Sequence, residues 1–190
     1  MTYQKIANRI DFTGTPDEIS LLNSTLQAIY AQSSGARAAI HNWLGTHPGE
    51  NIRITYAAGK AEAPYPIGSG QVRIGDDYFA DALYVSTNGV VVQDTLRSGL
   101  THELGHALSA RYDNDSFANL AGDNVRLTNS WFTQQGFASQ ASYVAYDQQG
   151  DVLVEGRSYT DGVVIRNAIY DLGPYNHVTP VSSFSFNTSN

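Results

Sequence analysis

One segment of the chain, residues 94–108, reads DTLRSGLTHELGHAL. Its leucines recur every four residues, so in an α-helix they share one face and predict the side that packs against the core. Asp94 at the start belongs to a residue type that caps helix N-termini. The segment therefore predicts an amphipathic helix over residues 94–111.

This helix carries His102, Glu103 and His106 in its middle. Histidines four positions apart leave the same face of a helix, so both imidazoles can bind one metal ion. Glu103 projects about 100° away around the helix, too far to chelate well but able to reach a water on the ion. This HExxH arrangement is typical of zinc metalloproteases, with the glutamate as general base. The alternative interpretation is a pair of ordinary histidines on an amphipathic helix.

Gly105 lies between the two histidines. Glycine in a helix interior costs about 1 kcal/mol relative to alanine. We therefore expect a backbone or a ligand to approach the helix closely at this position.

A catalytic zinc ion of this kind takes a third protein ligand and leaves one position for water. The chain has no cysteine, which excludes a thiolate ligand, and Ser109 and Tyr112 stand where a metzincin needs glycine and histidine. We predict Glu155, at the end of an apolar strand-like run, as the third ligand. The alternatives that remain open are Asp161, Asp123 and His177. Asp113 and Asp115 follow the helix so closely that they would have to fold straight back.

The rest of the chain mixes helical and strand patterns. Thr15-Pro16-Asp17-Glu18 forms a capping box before a helix that we predict to run to about Gln32. Further predicted elements are a helix over 36–44, strands over 51–57 and 72–74, a hairpin of 83–86 with 89–93, a strand over 152–154 and a helix near 162–172. We interpret the Asn/Gln-rich stretch 113–150 as long loops with a strand at 143–146. Together these predict one α+β domain over residues 1–190 with a mixed sheet and a loose tail over 182–190.

Composition restricts the partners. The 190 residues have a formal net charge of −7, which argues against nucleic acid and anionic membrane surfaces. No apolar run approaches the roughly 20 residues that cross a bilayer. Because the N-terminal residues are polar, we expect no Sec signal. We also expect a monomer.

The segment 100–107 (LTHELGHA), preceded by 14–29 and 52–56, resembles the effector-protein zinc metallopeptidases. These are typified by the NleD-like proteases that bacteria inject through type III secretion, and related domains end some polymorphic toxins. The family carries an acidic residue after the motif, then an arginine segment and a closing tyrosine, to which 154–159 and 165–175 are similar. The resemblance implies a zincin-like fold, a protein substrate in a target cell and delivery by a specialised secretion system.

The predicted reaction is hydrolysis of an internal peptide bond. Zinc lowers the pKa of its bound water to about 7, and Glu103 takes the proton and passes it to the leaving amine. The oxyanion needs a second donor, for which the candidates are Tyr159, Tyr175, His177 and Arg166. We expect an extended substrate to pair with an edge strand near 72–74 or 83–86. The competing class is a binding protein: an inactive zincin scaffold or an acidic, tyrosine-rich adhesion module.

Overall fold

The computed structural model describes residues 2–80, 82–88, 91–113 and 122–146. Within these ranges the chain forms four α-helices, seven β-strands and short 3₁₀ turns. The helices are α1 (Pro16–Gln32), α2 (Ser34–Thr46), α3 (Leu96–Ser109) and α4 (Gly122–Gln134). The strands are β1 (Ile10–Thr13), β2 (Ile52–Tyr56), β3 (Ala61–Glu62), β4 (Gln71–Ile74), β5 (Leu83–Ser86), β6 (Val91–Gln93) and β7 (Gln140–Tyr146). The predicted strand over 152–154, the predicted C-terminal helix and the tail lie outside the described residues.

The strands form two sheets. The first has the order β1-β2-β4-β3, in which β1, β2 and β4 are parallel and β3 is antiparallel to β4. The second is antiparallel, with the order β6-β5-β7. This is a mixed α+β architecture with a mixed sheet, as the sequence predicted, and it is compatible with a zincin-like fold.

The first two helices begin at caps that the sequence encodes. The side chain of Thr15 accepts a hydrogen bond from the N–H of Glu18, whose carboxylate accepts one from the N–H of Thr15. This confirms the predicted capping box, and α1 ends at Gln32 as expected. Ser33 caps α2 through the N–H of Ala36, so α2 is slightly longer than the predicted 36–44.

The core lies where the helices pack on the first sheet. Ile52 and Ile54 of β2 and Ile74 of β4 are fully buried, which confirms the alternating pattern of the strand near residue 52. Leu100 and Leu104 of α3 are also fully buried in this core. The leucine face of the HExxH helix therefore packs inward, as predicted.

The start of α3 differs from the prediction. Thr95, and not Asp94, is the N-cap, and it forms a reciprocal capping box with Ser98. Asp94 instead lies one residue earlier and is buried, with its carboxylate accepting from the Thr95 N–H and the Ser98 hydroxyl. The helix bounds of 96–109 fall within the predicted 94–111.

The interpretation of residues 113–150 as long loops with one strand was wrong for 122–134, where helix α4 forms. The strand predicted at 143–146 is confirmed and begins earlier, as β7 over 140–146. Polar side chains share the inward face of α4, because Asn124 and Thr128 are as fully buried as Val125 and Phe132. A mixed polar and apolar face of this kind weakens the hydrophobic periodicity from which a helix is predicted.

The described helices are all too short or too polar to cross a bilayer.

Candidate metal centre

Helix α3 places the predicted histidines side by side. The ring centroids of His102 and His106 are 5.0 Å apart, as expected for residues one helical turn apart on one face. His102, Glu103 and His106 are only 8%, 8% and 7% exposed. Buried polar side chains of this kind require partners, so the two histidines are not ordinary surface residues.

Asp113 supplies the partner of both rings. Its carboxylate oxygen Oδ2 lies 3.0 Å from Nε2 of His102 and 2.6 Å from Nε2 of His106. Two imidazole nitrogens and one carboxylate oxygen therefore converge on one point at the side of α3. The expectation that Asp113 lies too close to the helix to serve was wrong, because the chain does fold straight back.

The chain reversal begins at Ala110. This residue ends α3 in the left-handed conformation, with φ 54° and ψ 28°, and such a residue reverses the chain at a helix C-terminus. The last turn of α3 is held by the loop after β3, because Gly68 and Gly70 donate backbone hydrogen bonds to the carbonyl oxygens of His106 and Ala107. The glycines thus satisfy carbonyls that have no partner inside the helix.

The other ring nitrogen of His106 determines which nitrogen is available to a metal. Nδ1 lies 2.6 Å from the carbonyl oxygen of Arg111. A carbonyl only accepts hydrogen bonds, so Nδ1 carries the hydrogen and Nε2 is left to act as a ligand. An outer partner that fixes the tautomer in this way is typical of metal-binding histidines.

The electrostatics of the cluster favour a charged pair in the metal-free chain. Burial disfavours the charged form of His102, but the adjacent Asp113 carboxylate outweighs it and raises the pKa of His102 to about 9. Burial acts against ionisation of Asp113 too, yet the two histidines hold its pKa well below the ordinary value. Asp113 therefore stays a carboxylate, which is the form that binds metals.

Glu103 lies beside this cluster. The backbone N–H of Ala63, the residue after β3, is near its carboxylate and acts to lower its pKa. Burial raises the pKa of Glu103 above its ordinary value, and the nearby His102 and His106 oppose this rise. A carboxylate with a raised pKa accepts a proton more readily near neutral pH.

The three side chains fit a metal ion. One ligand atom from each of His102, His106 and Asp113 lies within 4.8 Å of the others. The second carboxylate oxygen of Asp113, Oδ1, is buried and has no hydrogen-bond partner among the described residues. An unpaired buried carboxylate oxygen is costly, and a cation at this point would satisfy it. Imidazole nitrogen and carboxylate oxygen are ligands that zinc accepts.

Helix α4 forms the other wall of the site. Asn124 is fully buried, and its Nδ2 donates to the carbonyl oxygen of His102 at 3.1 Å. A Cβ on Gly105 would collide with the side chains of Asn124 and Thr128. The close approach expected at Gly105 is thus confirmed, and α4 is the element that approaches. Sequence reasoning missed Asn124, for which the only signal was this glycine.

The structure brings together three of the predicted site residues, His102, Glu103 and His106. Asp123 is exposed on α4 and is not part of the cluster. The remaining candidates lie outside the described residues and stay predictions: Glu155, Tyr159, Asp161, Arg166, Tyr175 and His177.

The predicted substrate edge was wrong. Strand β4 lies between β2 and β3, and β5 lies between β6 and β7. Arg73 and Ile74 of β4 are paired with both β2 and β3, and β5 is paired with both β6 and β7, so neither strand is the sheet edge that was predicted. The strand at the edge beside Glu103 is β3.

The described residues thus define a mixed α+β chain with a buried His–His–Asp group able to bind a metal. Comparison with solved structures gives a consistent result: the chain is similar to the Salmonella zinc metalloprotease effector GtgA, with a TM-score of 0.50 and 18% identity. The similarity covers 67% of this chain and 69% of GtgA. No protein-family model and no curated protein sequence matches the chain. The similarity to GtgA supports the fold of an effector zinc protease.

Proposed function

We propose that this protein is a zinc-dependent endopeptidase that uses His102, His106 and Asp113 as its protein ligands. The observation that carries the proposal is the convergence of both Nε2 atoms on one carboxylate oxygen at 3.0 and 2.6 Å. Asp113 replaces Glu155 as the proposed third ligand, because it already lies at the histidines.

Zinc held here would act as a Lewis acid and would lower the pKa of a water molecule to about 7. Three protein ligands leave one tetrahedral position for that water. The His106 tautomer, fixed by the carbonyl of Arg111, leaves Nε2 free to bind the ion.

Glu103 is the proposed general base. It directly follows a ligand on α3, and burial raises the pKa of its carboxylate. One carboxylate oxygen accepts a proton from the attacking water and later returns it to the leaving amine.

The substrate is proposed to bind along β3. This strand is at the edge of the first sheet and packs against α3, the helix that carries Glu103. An extended peptide that adds to a sheet edge forms backbone hydrogen bonds that do not depend on its sequence. Such pairing would place a peptide bond beside the general base.

We further propose that the substrate is a protein of a target cell into which this chain is delivered. The support is the resemblance of the HELGHA segment to effector metallopeptidases and the structural similarity to GtgA, which is itself described as an effector. The net charge of −7 is unfavourable for binding to nucleic acid.

The experiment combines metal analysis with proteolysis. The purified chain is analysed for bound metals, and a generic peptide library is then digested with the zinc-loaded protein, with a chelator, and with zinc restored. We expect one zinc per chain and cleavage that is lost on chelation and recovered with zinc. A chain without metal would contradict the metal centre and favour incidental histidines in a binding module.

A chain that binds zinc but cleaves nothing requires a second substrate set, because a protease of one host protein can ignore short peptides. Lysate proteins of a eukaryotic cell, compared by N-terminal labelling with and without the enzyme, provide that set. If no new N-termini form, the protein is an inactive zincin scaffold.

A further inference from the structure

Asn124 connects both halves of the candidate metal centre. Its side-chain Nδ2 donates to the carbonyl oxygen of His102 at 3.1 Å, and its backbone N–H donates to the carbonyl oxygen of Tyr112 at 3.2 Å. Tyr112 directly precedes Asp113 in the chain. One residue at the start of α4 therefore contacts the ligand-bearing turn of α3 and the segment that carries the third ligand.

The side chain of Asn124 is also adjacent to the ligand atom itself. Nδ2 lies 3.4 Å from Nε2 of His102. Two ligands at about 2.1 Å from a tetrahedral ion are about 3.4 Å apart. The amide thus lies beside the ligand nitrogen of His102 at about the spacing of neighbouring ligands, but an amide nitrogen that carries hydrogens is a donor and not a ligand.

Several features keep this amide in its orientation. Nδ2 faces the carbonyl of His102, which only accepts hydrogen bonds, so the nitrogen and not the oxygen stands there. Gly105 leaves room for the side chain, because a Cβ there would collide with Oδ1 of Asn124. The hydroxyl of Thr128 donates to the carbonyl oxygen of Asn124 and ties the residue to the next turn of α4.

We propose that Asn124 is a positioning residue for the metal centre, which sets His102 relative to Asp113 and places a neutral donor, instead of a further metal-binding group, beside His102. The inference rests on the proposed metal centre. Its chemistry requires a neutral donor of this size, since alanine removes the side-chain bond to His102 and aspartate puts an anionic oxygen where the amide nitrogen stands.

The test measures metal binding without any substrate. Zinc affinity is determined by competition with a chromophoric chelator for the wild-type chain, Asn124→Ala and Asn129→Ala. Asn129 is a matched control, because it lies on the same helix and both of its amide atoms hydrogen-bond to the backbone of Gln140, away from the cluster. We expect Asn124→Ala to bind zinc about 10–100-fold more weakly, as for other outer-shell partners, and Asn129→Ala to bind it like the wild type.

A second variant addresses the case in which alanine unfolds the chain. Asn124→Asp keeps the shape of the side chain, and we expect the absorption spectrum of bound Co²⁺ to change because a carboxylate oxygen becomes a further ligand. Asn129→Asp should leave that spectrum unchanged. A merely structural Asn124 would lower the unfolding temperature without altering the Co²⁺ spectrum.

The inference is overturned if Asn124→Ala binds zinc as tightly as Asn129→Ala, or if Asn124→Asp gives the wild-type Co²⁺ spectrum. Failure of the proposed function is a different result. In that case the wild-type chain itself binds neither zinc nor Co²⁺, and the positioning role fails with it.

Discussion

Oδ2 of Asp113 lies 2.6 Å from Nε2 of His106, although only seven positions separate the two residues and His106 is inside a helix. A continued helix would carry residue 113 about 10 Å further along its axis. The left-handed Ala110 ends the helix and returns the chain to its own side face. The proposed third ligand therefore comes from the first residues after the HExxH helix, and the proposal requires no distant segment.

The first prediction distinguishes Asp113 from Glu155 as the third ligand. We expect Asp113→Ala to weaken zinc binding by at least about 100-fold, because even outer-shell changes cost about 10–100-fold. Asp123→Ala removes an exposed acid nearby and should leave the affinity unchanged. Competition with a chromophoric chelator measures the zinc affinity of these two variants, of Glu155→Ala and of the wild-type chain. Loss of affinity in Glu155→Ala but not in Asp113→Ala would restore Glu155 as the ligand.

The second prediction tests the general base. Glu103→Gln keeps the size of the side chain and removes its ability to take a proton, so we expect a full zinc content and peptide hydrolysis lowered by about 100–10,000-fold. Glu50→Gln, just before β2, is the control, because Glu50 is exposed and is not part of the cluster. Turnover near the wild-type rate in Glu103→Gln would assign the proton transfer to another group.

The third prediction concerns pH in the metal-free chain. Asp113 raises the pKa of His102 from 6.5 to about 9, so the folded state holds this proton more tightly than the unfolded state. The pair therefore contributes stability that is full between about pH 4, just above the ordinary pKa of Asp113, and about pH 6.5, and that is lost as the pH rises through about 9. Zinc must displace the same proton, so zinc affinity should rise with pH up to about 9.

Nuclear magnetic resonance titration of the His102 ring checks this shift directly. We expect its pKa to fall in Asp113→Asn, which removes the charge but keeps the shape. Calorimetry of zinc binding at pH 7 in buffers of different ionisation enthalpy should show release of a proton. If the ring of His102 in the wild-type, metal-free chain titrates at the ordinary value, the ion pair with Asp113 is wrong.

The fourth prediction concerns Gly105. Alanine is the better helix former by about 1 kcal/mol, but here its Cβ would collide with Asn124 and Thr128. Overpacking costs about 1–3 kcal/mol, so we expect Gly105→Ala to lower the free energy of unfolding and to weaken zinc binding. Gly45→Ala in α2 is the matched control, since a Cβ there meets nothing within 4 Å and should stabilise the chain. Denaturant titrations measure the free energy of unfolding of both variants. A Gly105→Ala chain more stable than the wild type would mean that α4 does not pack against α3 at this position.

The sequence predicted the elements whose signals are local. The capping box at Thr15, the alternation around Ile54 and the four-residue spacing of leucines in α3 each determine one element without reference to the rest of the fold. The positions of His102 and His106 follow from helix geometry alone. This is why two of the three proposed metal ligands, His102 and His106, could be inferred from the amino-acid sequence.

The missed features depend on tertiary contacts. Helix α4 buries Asn124 and Thr128 against α3. Helices are predicted from the regular spacing of apolar residues, and buried polar residues interrupt that spacing. Asp113 could not be predicted as a ligand, because nothing in the sequence marks the reversal at Ala110: glycine or asparagine would have indicated a left-handed residue, and alanine does not.

The most direct measurement is a crystal structure of the zinc-loaded chain with anomalous data collected on both sides of the zinc absorption edge. We predict a single zinc peak with Nε2 of His102, Nε2 of His106 and a carboxylate oxygen of Asp113 each about 2.0–2.2 Å away. An anomalous map without a peak at these residues, or with zinc bound by other side chains, would contradict it.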